Sequence, residues 1–211
     1  MDIELRMQFL IRISYRYWYF MSSESLRRVQ DFARSQQKKE AQRTTGFMLS
    51  GKRIIELGLV QGILNSRQQV QPAGVDFTLK QLATLESIGT IDFDNTKRVL
   101  PKYQPLQFED GMITLKPGAY LVEFNETVLL PNDVIGIMRT RSSIFRSGAT
   151  LTAGVIDPGY SGAIGALLQV WNNKGITIEK NARLAQWVFA KVGDPSGKGY
   201  AGVYKGAKNM F

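Results

Sequence analysis

Short runs of β-branched and aromatic residues, separated by turn-forming residues, fill the chain from Met48 to about residue 192. Examples are residues 112–115 before Pro117, residues 119–124 before Asn125, and residues 164–171 before Asn172. Strands of this length at this spacing are typical of an all-β barrel or jelly roll with short connections. We therefore predict an all-β fold, a distorted β-barrel or jelly roll with few short helices.

The chain divides into three regions by composition and residue pattern. Residues 48–192 form the expected β domain, which opens with a helix that Ser50 caps and that ends near Gly62. Residues 193–211 are rich in glycine and predict a flexible arm. Residues 1–47 form an N-terminal extension, with a period-two pattern over 3–19 that predicts a strand and a basic helical pattern over 22–40. This extension is either a real basic appendage or sequence upstream of a start at Met21 or Met48.

Cysteine and histidine are absent from the sequence. Their absence excludes disulfides, thiol nucleophiles, zinc sites of thiolate or imidazole, and any Ser-His-Asp triad. Catalysis must therefore use carboxylates, hydroxyls, backbone groups or a hard metal ion. Mg²⁺ is such an ion, and it typically arrives on the phosphates of a substrate.

The formal net charge of +9 favours an anionic partner, although many basic proteins have no specific anion site. Residues 22–43 are basic but contain a single aromatic residue, Phe32, so we expect no nucleic-acid partner. No apolar run approaches the roughly 18 residues of a membrane-spanning helix. The acidic start is unlike a signal peptide, and we expect a cytoplasmic protein without a membrane partner.

Four segments suit nucleotide chemistry, although each has a plainer interpretation. Residues 140–148, with two arginines and two early serines, suit either a polyphosphate cradle or a capped surface helix. Residues 153–162 suit either a hairpin that holds a base or an ordinary Pro-Gly turn. Asp76 lies in an apolar strand and should meet an arginine, a metal-bound water or the strand edge. Residues 197–206 suit either a closing flap or a disordered tail.

The order of these segments resembles the motif series of the trimeric dUTPases and of their sister group, the dCTP deaminases. The series is Ala-Gly-Val-Asp, Arg-Ser-Ser, Gly-Val-Ile-Asp-x-x-Tyr-x-Gly, Ala-Arg-Leu-Ala-Gln and a Gly/aromatic tail, over about residues 48–206. The Gln-Pro-Ala lead-in and the long Arg-Ser-Ser-Ile-Phe-Arg-Ser-Gly are more similar to the deaminases, a mixture typical of archaeal-type members. The resemblance implies a dUTPase-like (β-clip) barrel, Mg²⁺ and a homotrimer.

The resemblance also implies a role for each matching residue. Asp157 becomes the general base for a water that attacks the α-phosphate, and Tyr160 becomes the floor under the deoxyribose. The backbone that reads the base would come from Gly154, Val155 and Ile156. The phosphates would be held by Arg141, Ser142, Ser143, Arg146 and Gln186.

The resemblance assigns the remaining residues to the arm and to the metal. Tyr200 with Lys198 matches the closing arm, and Tyr204 is the alternative stacking ring. Asp76 would be structural or would hydrogen-bond a metal-bound water. No protein group would bind the metal directly, because the substrate phosphates carry it.

One residue decides between the two activities at the level of sequence. The resemblance places the deaminase proton carrier, a Glu, at Gln169, two residues before Trp171-Asn172, and residues 163–172 contain no acid. We therefore expect hydrolysis of dUTP to dUMP and pyrophosphate. The alternatives are a dCTP deaminase or bifunctional enzyme and a non-catalytic nucleotide-binding regulator. The stretch 162–172 is about two residues longer than either family pattern, which predicts a bulge.

Overall fold

The structure is a computed structural model that describes residues 47–193 and 197–211, together with Glu24, Arg27, Arg28, residues 30–32, Arg34 and Ser35. The chain divides into two compact units, Met1–Gly46 and Phe47–Phe211. In the first unit the described residues are helical. The strand expected over residues 3–19 lies outside the described residues.

The described residues of the second unit form three short helices and eleven strands. The helices are α1 (Gly51–Glu56), α2 (Ser66–Gln69) and α3 (Ser142–Arg146). The strands are β1 (Val60–Gln61), β2 (Val70–Gln71), β3 (Gly74–Leu85), β4 (Tyr103–Pro105), β5 (Met112–Leu115), β6 (Gly118–Leu129), β7 (Val134–Thr140), β8 (Ala149–Thr152), β9 (Ser161–Val170), β10 (Ile176–Glu179) and β11 (Arg183–Lys191).

Nine strands form one antiparallel sheet whose main order is β7-β11-β3-β6-β9-β8, and β5 pairs with β10 in a separate ribbon. The two ends of this order approach each other. Gly136 of β7 bridges to Ile156, and Thr140 exchanges hydrogen bonds with the backbone of Leu151 on β8. The sheet is therefore nearly closed into a barrel, which removes most of its free edges.

The interior of the barrel is filled by large apolar side chains from β3, β6 and β11. Phe77 packs edge-on against Phe124 at 5.8 Å between ring centroids and lies 6.0 Å from the indole of Trp187. All three side chains are almost fully buried. Burial of such aromatic residues contributes on the order of 2–3 kcal/mol each, so this cluster holds the strands together.

The predicted all-β class and its short helices are confirmed. The first helix is shorter than expected, because it ends at Glu56 and Gly58 adopts a left-handed conformation with φ of 67°. The side chain of Ser50 caps it as predicted, by accepting from the backbone N–H of Arg53. No helix in the part of the chain that the structure describes is long and apolar enough to cross a membrane.

The irregularity expected near residues 162–172 lies on the opposite strand. Glu123 of β6 pairs with Gly165 of β9, and the next pair along the ladder is Thr127 with Ala163. Over this step β6 advances by four residues while β9 advances by two. The extra residues therefore belong to β6, and β9 runs without a break from Ser161 to Val170.

Candidate active site

A cavity of about 440 Å³ lies between the loop before β9, strands β9 and β11, and the C-terminal segment. Its walls include Leu100, Tyr103, Leu121, Ala153, Gly154, Val155, Ile156, Asp157, Tyr160, Ala163, Ile164, Gly165, Trp187, Tyr200, Tyr204, Ala207, Asn209 and Met210. This volume is within the range of cavities that bind small molecules. Five of the residues that the sequence analysis assigned to the base, the sugar and the water contribute to this wall.

Asp157 and Tyr160 lie at the two ends of a tight turn beside the cavity. The backbone N–H of Tyr160 donates to the carbonyl of Asp157, and Gly159 at the turn has a φ of 77°. The Asp157 side chain is exposed, whereas Tyr160 is buried and its hydroxyl donates to the carbonyl of Ala163 at 2.6 Å. Burial, with a smaller contribution from Tyr200, raises the pKa of Tyr160. The tyrosine is therefore a fixed neutral wall, and the aspartate is free to meet a ligand or water.

The predicted base-reading segment is only partly available to a ligand. The backbone N–H and carbonyl of Ile156 are both paired with Gly136, at 2.9 and 3.0 Å. Gly154 and Val155 are exposed, belong to no strand and line the cavity. The polar backbone groups that could face a base are therefore those of Gly154 and Val155.

The C-terminal segment, expected to be flexible, lies against this turn in the structure. The backbone N–H of Tyr200 donates to Pro158, and its ring meets Tyr160 edge-on at 5.3 Å. Tyr204 also lines the cavity, but its ring lies under the guanidinium of Arg98 at 5.5 Å. Lys198 belongs to the same described segment. Of the two candidate stacking rings, Tyr200 is the one that contacts Tyr160, the residue predicted to lie under the deoxyribose.

Two of the expected phosphate-binding residues, Arg141 and Gln186, contact Asp76, which is buried in β3. Arg141 approaches its carboxylate at 3.0 Å and Arg183 at 3.2 Å, while the amide of Gln186 donates to it at 3.4 Å. Of the three environments left open for Asp76, the structure shows the pairing with arginine. Burial raises the pKa of Asp76, and the two arginines and Gln186 oppose that rise. The Asp76 carboxylate therefore orients the two guanidinium groups. Of the two roles expected for Asp76, these contacts favour the structural one over a hydrogen bond to metal-bound water.

The serines and the second arginine of the predicted cradle lie on α3. Arg141 is the residue before the helix, Ser142 opens it, and Ser142, Ser143 and Arg146 are all exposed. The Arg141 guanidinium also donates to the carbonyl of Arg183, so its orientation is fixed from two sides. The helix has a single turn, so the exposed side chains rather than its dipole would attract an anion.

The two groups of residues are separate within one chain. Gly136 is level with Ile156 beside the cavity, whereas Arg141 lies five residues farther along the chain, just beyond the end of β7. At about 3.4 Å per residue, the backbone of Arg141 lies on the order of 17 Å along β7 from that of Gly136. Within one chain, the residues predicted to bind the base and the sugar therefore lie together at the cavity, and the residues predicted to bind phosphate lie outside the cavity wall.

Sequence reasoning missed Arg183. It stands three residues before Gln186 in the Ala-Arg-Leu-Ala-Gln motif, and it contacts Asp76 and the backbone of Gln68. The motif was a usable signal, since an arginine in an otherwise apolar strand needs an acidic partner. Leu100, Tyr103 and Met210 of the cavity wall carried no comparable signal, because they come from segments that are distant in sequence.

The described residues contain no cluster of three acidic residues that could hold a metal ion. Among the residues that form the wall of the cavity, Asp157 is the only acid. This donor set does not suit a metal ion enclosed by protein ligands. It does suit Mg²⁺ that keeps its waters and is held mainly by phosphate oxygens.

Comparisons with known proteins agree with the fold and the motifs. The sequence profile of the dCTP deaminase-like family matches residues 37–192. A probable deoxyuridine 5'-triphosphate nucleotidohydrolase of Methanosarcina acetivorans is 41% identical over 148 residues, which cover 70% of this chain and 86% of that protein. The corresponding protein of Archaeoglobus fulgidus is 40% identical over 163 residues, 75% of this chain and 96% of its own.

Among solved structures, the 2'-deoxycytidine 5'-triphosphate deaminase from Agrobacterium tumefaciens matches with a TM-score of 0.53 at 20% identity. The match covers 69% of this chain and 49% of that chain, and it supports the barrel fold. The archaeal relatives confirm the resemblance to an archaeal-type member of the superfamily. Because the family profile covers most of the sequence, the chain belongs to the dCTP deaminase-like family.

Proposed function

We propose that the protein is a Mg²⁺-dependent dUTP diphosphatase that hydrolyses dUTP to dUMP and pyrophosphate. The observation that carries the proposal is the exposed carboxylate of Asp157 at a cavity whose other described walls are apolar, aromatic or amide groups. The name shared by the archaeal relatives supports dUTP as the substrate. The proposal includes a cytoplasmic location.

In the proposed reaction, Asp157 orients a water molecule and accepts its proton while the water oxygen attacks the α-phosphorus. The bond between the α-phosphorus and the oxygen that bridges to the β-phosphate breaks, and pyrophosphate leaves. A general base of this kind contributes roughly 10²–10⁴-fold. Arg141 and Arg146 neutralise the phosphates with Ser142 and Ser143, and Mg²⁺ on the phosphates supplies further neutralisation when bound.

The proposed enzyme is a homotrimer whose sites combine residues of different subunits. The separation of about 17 Å along β7 between the backbone of Arg141 and that of Gly136, which pairs with Ile156 beside the Asp157 turn, supports this arrangement. A neighbouring subunit would bring its arginines and serines to the mouth of this cavity. The closing segment with Lys198 and Tyr200 would then cover the substrate.

Selection of uracil over cytosine is assigned to the backbone groups of Gly154 and Val155. The two bases present opposite donor and acceptor patterns at position 4, and a mismatch leaves a buried polar group unpaired. Discrimination of this kind reaches about 10⁴-fold when a site is built for the hydrogen bond.

Deamination of dCTP is the second candidate, and the name of the matching family profile makes it worth testing. That reaction needs a group that moves protons at the cytosine ring. Gln169 takes the place of that group in the sequence; it pairs with Ala119 and Thr150 and is not part of the cavity wall. A side-chain amide cannot accept and return a proton as a carboxylic acid does, so a glutamine at this position favours hydrolysis over deamination. A nucleotide-binding regulator without turnover is the third candidate.

The test is a set of assays of the purified protein with Mg²⁺ on dUTP, dCTP, dTTP and UTP. Pyrophosphate and ammonia are both measured, with Asp157→Asn as the test variant and Glu179→Gln, an exposed acid on β10, as the matched control. We expect pyrophosphate from dUTP alone, and a loss of roughly 10²–10⁴-fold in Asp157→Asn only.

Other outcomes would assign the protein differently. Ammonia from dCTP would overturn the argument from Gln169 and identify a deaminase. Tight binding of a non-hydrolysable dUTP analogue without hydrolysis of dUTP would identify a regulator. Equal activity of Asp157→Asn and the native protein would remove Asp157 from the reaction.

A further inference from the structure

We infer that Glu126 is a positioning residue for the phosphate-binding arginine Arg141, acting through the segment of β3 that carries Asp76. The inference rests on the proposed function, because it gives Arg141 the role of holding phosphate. Glu126 is not part of the cavity wall and is fully buried, so it acts without touching a substrate.

The bulge in β6 explains why a carboxylate lies inside the barrel. Between Glu123 and Thr127 the strand has more residues than its partner β9. A bulge of this kind turns a side chain away from the face it would otherwise occupy. Glu126 lies in this step and is 0% exposed.

The contacts of the Glu126 side chain lead to β3 and α2. One oxygen accepts from the backbone N–H of Thr78 at 2.8 Å. The other oxygen accepts from the Thr78 hydroxyl and from the side-chain amide of Gln69, each at 2.6 Å. The Gln69 amide also donates to the backbone carbonyl of Asp76 at 2.9 Å.

These bonds replace a missing neighbouring strand. On this edge β3 pairs with β2 at Gly74 and Val75 and with β6 from Leu79 onward, so residues 76–78 have no ladder partner there. Backbone groups of alternate residues in a strand point to the same edge, so the carbonyl of Asp76 and the N–H of Thr78 emerge together. Gln69 and Glu126 bond these two groups as an adjacent strand would. Two buried backbone groups that would otherwise be unpaired are thereby satisfied.

The same short segment fixes the arginine. The Asp76 side chain accepts from Arg141 at 3.0 Å, and the Arg141 side chain is still 28% exposed, so part of its guanidinium can reach a ligand. A shift of the Asp76 backbone displaces the carboxylate and the guanidinium with it. Small displacements of a positioning group have large effects on a reaction that depends on alignment.

Glutamine cannot replace Glu126 without loss, although it has the same shape. The three groups that bond the Glu126 carboxylate are all hydrogen-bond donors, and an amide nitrogen accepts none of them. Glu126→Gln therefore leaves at least one donor on Thr78 or Gln69 unpaired. The matched control is Val128→Ala on the same strand, which removes buried apolar contacts and leaves the β3 bonds intact.

The experiment compares the full-length native protein, Glu126→Gln and Val128→Ala at a temperature where all three are folded. Binding of inorganic tripolyphosphate and of deoxyuridine is measured by calorimetry, beside kcat and KM for dUTP. We expect Glu126→Gln to weaken tripolyphosphate roughly ten- to hundredfold, the size of one charge-assisted hydrogen bond, and to leave deoxyuridine unchanged. Val128→Ala should change neither affinity.

Equal tripolyphosphate affinity in Glu126→Gln and the native protein would overturn the inference, as would equal weakening of both ligands. If the native protein binds tripolyphosphate but does not hydrolyse dUTP, the proposed function fails while the binding comparison still tests Glu126. If Glu126→Gln does not fold, Thr78→Val replaces it, because this variant keeps the backbone bond to Glu126 and removes the hydroxyl, which donates to Glu126 and accepts from the Asn125 amide. Thr78→Val should weaken tripolyphosphate by a smaller factor, and an unchanged affinity there would equally overturn the inference.

Discussion

Replacement of Asp76 by asparagine tests the centre of the phosphate-binding group. Asp76 is 2% exposed and lies between Arg141 at 3.0 Å and Arg183 at 3.2 Å. Asparagine keeps the size of the side chain and one acceptor oxygen, but it removes the negative charge between two cations. The expected effects are lower stability and weaker binding of phosphate.

The magnitude follows from the burial of the three groups. Removing one partner of a buried ion pair costs roughly 3–5 kcal/mol. The two arginine side chains are 28% and 30% exposed, so water compensates part of this loss. We therefore expect a decrease of about 2–3 kcal/mol in the free energy of unfolding, at or below the lower end of that range. For a chain of this size, that corresponds to a fall in Tm of roughly 5–10 °C.

The assay combines thermal unfolding followed by circular dichroism with KM for dUTP. The matched control is Asp133→Asn, since Asp133 forms an exposed pair with Lys191 at 3.9 Å. Exposed pairs contribute about 0–1 kcal/mol, so the control should unfold close to the native temperature. KM for dUTP should rise about tenfold in Asp76→Asn and stay unchanged in Asp133→Asn, because only the first variant removes the carboxylate that holds Arg141 in place. If Asp76→Asn and Asp133→Asn have the same Tm and KM, Asp76 does not organise the arginines.

Three further predictions follow from the fold. Burial raises the pKa of Glu126 above its ordinary 4.5, so the folded state binds this proton more tightly than the unfolded state, and the free energy of unfolding falls as pH rises from 4.5 through the raised pKa. In urea unfolding, the difference in the free energy of unfolding between the native protein and Glu126→Gln should therefore decrease from pH 4.5 to neutral pH. An increase of this difference would contradict the sign. Gly159→Ala places a Cβ at a φ of 77° and 2.7 Å from the C-terminal segment, so it should cost about 1–3 kcal/mol and raise KM, whereas Gly193→Ala, with open space around it, should change neither. Lys80→Met removes the cation that lies 2.6 Å from the buried carboxylate of Glu123. In urea unfolding, the free energy of unfolding should fall by about 2–3 kcal/mol, and adding Glu123→Gln should recover most of this loss. No recovery in the double variant would show that the two side chains are not coupled.

Local patterns in the sequence were sufficient for the elements and for several contacts. Short runs of β-branched and aromatic residues between turn residues predicted strands that the structure contains as β6 and β9. The boundary expected at Asn125 was wrong, because β6 continues through this residue to Leu129. The cap at Ser50 was predictable because it depends on bonds within one helical turn. An arginine partner for Asp76 was among the environments foreseen, since a buried charge needs compensation.

The absence of cysteine and histidine, together with the ordered motifs, determines the class of chemistry from the sequence by itself. These features limit the chemistry of the site to carboxylates, arginines, hydroxyls, backbone groups and a hard metal ion on a β scaffold. The tertiary structure decided which arginines meet Asp76, because Arg141 and Arg183 reach it through pairing between β3, β11 and β7. It also placed the bulge on β6 and buried Glu126 against Thr78, 48 residues away in sequence. Such contacts depend on strand register and barrel closure, which arise from the packing of distant segments and leave no periodic signal in any one of them.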